Sequence, residues 1–164
     1  MKKLISIFVF AMIVVGQTFA ADAVYKPLWL YQGSWKATMA GAKGGPMELV
    51  NDCAMVGRFF ACQQTVNGKP DAMIVFVPAD APGDYYTQAV RQDGFARGRG
   101  QLHIEGDHWT YSSKDEQDGK TTYYRTTNVF SGNDRIHFEQ SESADGKTWK
   151  VTGSGDEVRV SKGK

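Results

Sequence analysis

An arginine and two nearby tyrosines are the residues of this sequence best suited to chemistry. Tyr123 and Arg125 stand two positions apart, so they face the same way on a β-strand. A guanidinium group binds carboxylates and phosphates through paired hydrogen bonds, and phenolic hydroxyls such as that of Tyr111 add further ones. These residue types predict a site for the anionic head group of a small molecule, with Trp109 as an apolar wall.

Motifs of known enzyme active sites are missing from the sequence. It contains no G-x-S-x-G, no phosphate-binding glycine loop, no H-E-x-x-H and no dinucleotide fingerprint. No general base can be named beside Tyr123 and Arg125, so we assign no catalytic residue and expect no cofactor.

Regular turn signals indicate the elements that must position these side chains. The segments between the turns are rich in Thr, Tyr, Phe, Val and Trp, which favour strands, and no helical segment of useful length separates them. The spacing of the turns therefore predicts about ten long antiparallel strands, and a single sheet of that size tends to close on itself as a barrel. The sequence therefore predicts an all-β, up-and-down antiparallel barrel. Besides a glycine loop at 41–45, the turns are Gly57-Arg58, Asn67-Gly68, Pro82-Gly83, Asp93-Gly94, Gly106-Asp107, Asp118-Gly119, Gly132-Asn133 and Asp145-Gly146.

Two hairpins predict which side chains face inward. A two-residue loop at Gly106-Asp107 places Leu102, Ile104, Trp109 and Tyr111 on one face, with Glu105 opposite His108. A two-residue loop at Gly132-Asn133 places Arg125 opposite Gln140, and it pairs Val129 with Ile136 and Thr127 with Phe138. The predicted ligand-binding residues are therefore Trp109, Tyr111, Tyr123, Arg125 and Gln140. Two further apolar sets of period two are Trp35, Ala37 and Met39, and Trp149 with Val151.

The two cysteines, Cys53 and Cys62, fit one hairpin. A two-residue loop with Gly57 first is typical of a type II′ turn, and in that register Cys53 faces Cys62. The pair is a non-hydrogen-bonded one, whose close Cα atoms suit a disulfide. A redox or metal pair is the alternative, but Cys-x-x-Cys spacing and a cluster of further ligands are missing.

The first and last strands carry a resemblance to a known family. Gly33-Ser34-Trp35 follows a segment, Tyr25 to Gln32, that can plug a barrel end, and Val158-Arg159-Val160 closes the chain. A G-x-W on strand one with a late arginine resembles the lipocalin and fatty-acid-binding-protein superfamily, the calycins. The resemblance implies structural roles, in which Trp35 packs at the closed end and Arg159 lies across it as a cation–π contact. About ten strands look more like the fatty-acid-binding-protein and nitrobindin-type barrels than eight-stranded lipocalins. The chain is also similar to small uncharacterised secreted bacterial proteins.

Some barrels of this type carry haem on a histidine, and the histidines here are His103, His108 and His137. All three are predicted to face outward, whereas a haem ligand must face the interior. We therefore predict no metal or haem site.

The N-terminus predicts export. Lys2 and Lys3 precede a run of 12 residues from Leu4 to Val15 that is apolar except for Ser6, and small residues allow cleavage after Ala20, with Ala23 as an alternative. Residues 1–20 are thus predicted to be a signal peptide, whose apolar run is too short to span a membrane, and 21–164 to form one barrel domain. Cleavage changes the formal net charge from +1 to −1, because it removes two lysines and no acidic residue. That balance argues against nucleic acid as a partner and fits a periplasmic or secreted protein.

Three classes of function remain open. The leading one is an exported barrel that binds a small, partly apolar ligand inside, with an anionic head group at Arg125. The second is a barrel with a solid interior that binds or inhibits a protein partner through its loops. The third is a lyase or cyclase, because a few calycin-like barrels catalyse decarboxylation or cyclisation with Tyr and Arg. In that case Tyr123 and Arg125 would polarise the substrate.

Overall fold

A computed structural model describes residues 23–40, 46–94 and 99–162 of the protein. The predicted signal peptide and the glycine loop at 41–45 lie outside these residues. A short 3₁₀ helix, Lys26–Tyr31, precedes the strands, and none of the helices described is long and apolar enough to cross a membrane. The strands are β1 Gly33–Ala40, β2 Pro46–Val56, β3 Phe59–Val66, β4 Lys69–Pro78, β5 Asp84–Arg91, β6 Gly100–Glu105, β7 His108–Gln117, β8 Lys120–Ser131, β9 Arg135–Ser143 and β10 Lys150–Lys162.

The strands form one closed antiparallel barrel. Each strand pairs with its neighbours in the chain, and β1 also pairs with β10, so the sheet has no free edge. The predicted all-β, ten-stranded up-and-down barrel is confirmed.

Glycine, preceded by asparagine or aspartate, allows two of the tightest connections. Asn67 and Gly68 have φ angles of 50° and 72°, and Asp118 and Gly119 have φ angles of 52° and 71°. Positive φ at both central residues is the type I′ pattern, whose twist matches that of the strands it joins.

The cysteine hairpin has the predicted register. Val56 pairs with Phe59 across the Gly57-Arg58 turn, and Cys53 pairs with Cys62. The two sulfur atoms are bonded, at 2.04 Å, and the Cα atoms are 4.0 Å apart. The predicted disulfide is confirmed, and it lies on the inner face of the barrel wall.

The hairpin at Gly106-Asp107 also has the predicted register. Glu105 pairs with His108, Ile104 with Trp109 and Leu102 with Tyr111. Leu102 and Trp109 are each 1% exposed, so this face is the interior. Alternation of apolar and polar residues was sufficient to orient both strands.

The predicted register at Gly132-Asn133 is wrong by one residue. Ser131 pairs with Arg135, so three residues, 132–134, form the connection instead of two. Phe130, Asn128 and Thr126 therefore face inward, and Arg125 pairs with Ser141 instead of Gln140. Because side chains alternate along a strand, this shift places Tyr123 and Arg125 on the outer face.

The prediction that Trp149 and Val151 belong to an inward-facing apolar set is also wrong. Val151 is 53% exposed, and Trp149 lies on the outer wall, where its ring centroid is 4.2 Å from the Arg125 guanidinium carbon. Asp145 holds the preceding turn because its carboxylate accepts hydrogen bonds from the backbone N–H groups of Lys147 and Thr148, both at 2.8 Å. Those bonds lower the pKa of Asp145 to about 2.

The 3₁₀ helix closes one end of the barrel, in the segment predicted to act as a plug. Leu28 and Tyr31 of the helix are buried, and they belong to the same core as Trp35. The indole N–H of Trp35 donates to the carbonyl of Tyr31 at 3.0 Å. Four rings form what we call the aromatic cluster: Tyr31, Trp35, Trp109 and Phe130.

Candidate functional site

A cavity of about 320 Å³ lies inside the barrel, next to Tyr31 of the plug. Every strand contributes at least one side chain or glycine to its wall, so the closed barrel itself shapes the space. The apolar part of the lining includes Met39, Leu49, Ile74, Phe76 and Phe138. This volume lies within the usual range of ligand pockets, about 300–1,000 Å³.

Four lining residues form a hydrogen-bonded series that we call the polar chain. The amide of Gln64 donates to Asn51 Oδ1 at 3.0 Å, and Asn51 Nδ2 donates to the Tyr31 hydroxyl at 2.9 Å. The Tyr31 hydroxyl then donates to Glu157 Oε2 at 3.0 Å. The polar chain therefore begins with an amide donor on β3 and ends with a carboxylate acceptor on β10.

Burial changes the acid–base properties of this wall. Glu157 is 8% exposed, and desolvation raises the pKa of its carboxyl, while the hydrogen bond from Tyr31 acts in the opposite direction. Desolvation, followed by the charge of Glu157, raises the pKa of both Tyr31 and Tyr111. The two phenols consequently remain neutral hydrogen-bond donors at ordinary pH.

Asn128 adds a polar atom to the cavity wall. Its side chain is 4% exposed and lines the cavity, and its Oδ1 atom has no hydrogen-bond partner among the described residues. A buried carbonyl oxygen without a partner costs about 1–3 kcal/mol, so such atoms are uncommon in protein interiors. Trp109 Nε1 likewise has no partner in the described part of the chain, but Trp109 belongs to the aromatic cluster and is outside the cavity lining.

The predicted ligand-binding residues separate into two groups. Tyr111 and Gln140 line the cavity, whereas Trp109 belongs to the aromatic cluster and is outside the lining. Tyr123 and Arg125 lie outside, because of the register at residues 132–134. The expected anionic head group depended on Arg125 inside the barrel, so that expectation loses its basis. The lyase or cyclase alternative depended on the same two residues.

Arg159 and Trp35 lie at the closed end of the barrel. The guanidinium carbon of Arg159 is 4.2 Å from the centroid of the Trp35 ring, which is a cation–π contact. The same guanidinium group donates to the carbonyls of Leu30 and Asn133, each at 2.7 Å, and to that of Gln32. Arg159 thus joins the plug to the 132–134 connection, and neither residue lines the cavity.

The three histidines lie on the outer wall, each beside an aspartate. Their side chains are about 60% exposed, and the Nδ1 atoms of His103, His108 and His137 are 2.5, 2.8 and 3.0 Å from Asp84, Asp107 and Asp156 respectively. Among the described residues, no group of three or more His, Cys, Asp or Glu side chains is placed to hold a metal ion.

Five polar site residues were not predicted from the sequence: Tyr31, Asn51, Gln64, Asn128 and Glu157. Glu157 stands two positions before Arg159 and therefore shares its facing. The proposed packing of Arg159 across Trp35 was a signal from which the inward carboxyl could have been found. Val158 and Val160 indicate the opposite facing of β10, because they are apolar and alternate like a core-facing set. In the structure they are 40% and 55% exposed.

Comparison with known proteins supports the architecture alone. The sequence matches no protein-family model and no curated protein. Among solved structures, it is similar to the crystal structure of Rv2717c from M. tuberculosis, with a TM-score of 0.52 and 18% identity, over 87% of this chain and 98% of that chain. The two chains thus share a fold.

Proposed function

We propose that this protein is an exported barrel that binds a small, partly apolar molecule in its interior cavity. One observation carries the proposal: a cavity of about 320 Å³ whose wall combines apolar side chains with the polar chain and Asn128, whose Oδ1 atom has no hydrogen-bond partner among the described residues. At about 30 Å³ of liquid volume per water, the space corresponds to roughly ten water molecules.

The wall composition favours a ligand over a merely imperfect core. Well-packed interiors have few voids larger than a water molecule, and sequences that only need stability fill such space with apolar groups. Here Gln64, Asn51 and Glu157 take up inward positions that Leu or Ile could fill. The usual ligand pocket has this composition, a largely apolar wall with a few convergent polar groups.

The disulfide supports the exported location that the signal peptide predicts. Structural disulfides persist in the periplasm and outside the cell, whereas they are rare in a reducing cytosol. The Cys53–Cys62 bond therefore fits a periplasmic or secreted protein.

Native mass spectrometry with solvent extraction, on mature protein from its native host, tests the proposal. We expect a defined small molecule to be released from the wild-type protein. In Ala89→Phe a ring enters the cavity, and this variant should lose the molecule. The matched control is Val90→Phe, at an outward position of the same strand, which should retain it. Protein that is empty and cannot be loaded with alkyl or aromatic compounds would contradict the proposal.

A protein-binding barrel is the second candidate, and one surface favours it. Apolar side chains line up on the outer face of β3, β4 and β5, with exposures of 58% for Phe59, 44% for Met73, 45% for Val77 and 40% for Val90. If a partner protein covers this strip, Met73→Glu should abolish its co-purification, whereas Ala89→Phe should not. Loss of the partner with Ala89→Phe and not with Met73→Glu would reject this candidate.

A further inference from the structure

We propose that the cavity selects ligands whose head group donates hydrogen bonds, of which a primary amine is the strongest case, and that it rejects carboxylates. This inference rests on the proposed function, because it assigns the chemistry of the ligand in that cavity. It reverses the head-group charge that the sequence predicts, and it makes Glu157 and Asn128 the residues that meet the ligand.

The direction of the polar chain supplies the first argument. Each hydrogen bond points toward Glu157: Gln64 donates to Asn51, Asn51 to Tyr31, and Tyr31 to Glu157 Oε2. These contacts hold the carboxyl group in one orientation and occupy one of its oxygens. Within the described part of the chain, the other oxygen, Oε1, has no hydrogen bond, and Glu157 lines the cavity. A ligand therefore meets a fixed acceptor.

Asn128 supplies an independent second acceptor. It stands on β8, whereas Glu157 stands on β10, and both line the cavity. The Oδ1 atom of Asn128 is buried and has no partner among the described residues. An amine or a hydroxyl provides the donor that this oxygen needs, whereas a carboxylate provides none.

The charges of the wall argue against an anion. Among the described lining residues, the groups that titrate are Glu157, Tyr31 and Tyr111, and none is a cation. The nearest arginine along β10, Arg159, is engaged by the carbonyls of the plug and by Trp35 at the closed end. A carboxylate brought into this cavity would lose water and meet a like charge, and both effects oppose binding.

A matched series of ligands tests the inference on the wild-type protein. Decan-1-amine, decan-1-ol and decanoic acid share one alkyl chain, and isothermal titration calorimetry gives the Kd of each. We expect the amine to bind about tenfold or more tighter than the acid, because its hydrogen bond to Glu157 is charge-assisted, with the alcohol between them. Acid binding that equals or exceeds amine binding would overturn the inference and leave the proposed function standing. If none of the three binds, both fail.

Two variants assign the selectivity to its residue. Glu157→Gln retains the shape of the side chain and an acceptor for Tyr31, but it removes the charge. We expect it to reduce the preference for amine over acid to within about threefold and to change decan-1-ol binding little. Glu139→Gln, an exposed position on β9, is the matched control and should retain the wild-type preference. An unchanged preference in Glu157→Gln would contradict the assignment. The wild-type series decides the head group even if this variant does not fold.

Discussion

The two halves of the barrel interior are filled by different chemistry. Next to the 3₁₀ helix, the rings of the aromatic cluster pack directly against one another, with centroids 4.7 Å apart for Trp109 and Phe130 and 5.5 Å apart for Tyr31 and Trp35. Beyond Tyr31, the amides of Asn51, Gln64 and Asn128 and the carboxyl group of Glu157 surround open volume. Tyr31 belongs to both halves, because its ring packs in the aromatic cluster and its hydroxyl belongs to the polar chain.

This difference indicates how a small barrel divides its tasks. Dense aromatic packing contributes stability, because each buried ring removes a large apolar area from water. A wall of polar groups around empty space contributes little or opposes folding, and it is retained where binding requires it. We therefore expect substitutions in the aromatic cluster to act on the free energy of unfolding, and substitutions around the cavity to act on ligand binding.

The largest effect should come from Trp35→Ala. Trp35 is fully buried and contacts Tyr31, Phe130 and Arg159, so its removal leaves a large void. We expect a loss of about 3–5 kcal/mol in the free energy of unfolding, measured by guanidinium denaturation. Met39→Ala, at the cavity, should cost only about 1 kcal/mol, a typical value for single substitutions. Equal losses at the two positions would contradict the division between the halves.

The disulfide should have the next largest effect. Cys53 and Cys62 are nine residues apart and join β2 to β3 in the barrel wall. Closing such a short loop in the unfolded chain is worth about 2–3 kcal/mol, so the double variant Cys53→Ala, Cys62→Ala should lose that amount. Treatment with a reductant should destabilise the wild-type protein by a similar amount and leave the double variant unchanged. A double variant as stable as the wild-type protein would show that the bond adds nothing to the closed barrel.

Glu157→Gln should change how stability depends on pH. Burial raises the pKa of Glu157 in the folded protein above its ordinary value, so the folded state retains this proton more strongly than the unfolded chain does. The free energy of unfolding should therefore fall as the pH rises from the ordinary carboxyl pKa through the raised one. Denaturation at a series of pH values should show this fall in the wild-type protein and in Glu139→Gln. In Glu157→Gln it should be reduced, and a curve identical to wild type would contradict the cause we assign.

The barrel and its disulfide could be predicted because their signals are local. Each turn pair stands beside the strands it joins, and Cys53 and Cys62 fall opposite each other once Gly57 starts the turn. The polar lining could be predicted only in part, because Asn51 and Gln64 share the facing of Cys53 and Cys62, whereas the rest depends on the facing of β8 and β10. Gly132, Asn133 and Asp134 all tolerate a turn, so two-residue and three-residue loops were equally compatible with the sequence. Because the loop is one residue longer than predicted, Asn128 faces inward and Arg125 faces outward.

The smallest effect, and the one that tests this register directly, should come from Arg125→Ala. On the outer wall the guanidinium group stacks on Trp149, and a cation–π contact of this kind is worth about 0.5–1 kcal/mol at exposed sites. We expect a loss of stability of that order and no change in the Kd of decan-1-amine. Trp149→Ala should remove the same contact, so the two substitutions together should cost less than the sum of each alone. If Arg125→Ala instead weakens ligand binding, Arg125 faces the cavity, and β8 has the register that the two-residue loop predicted.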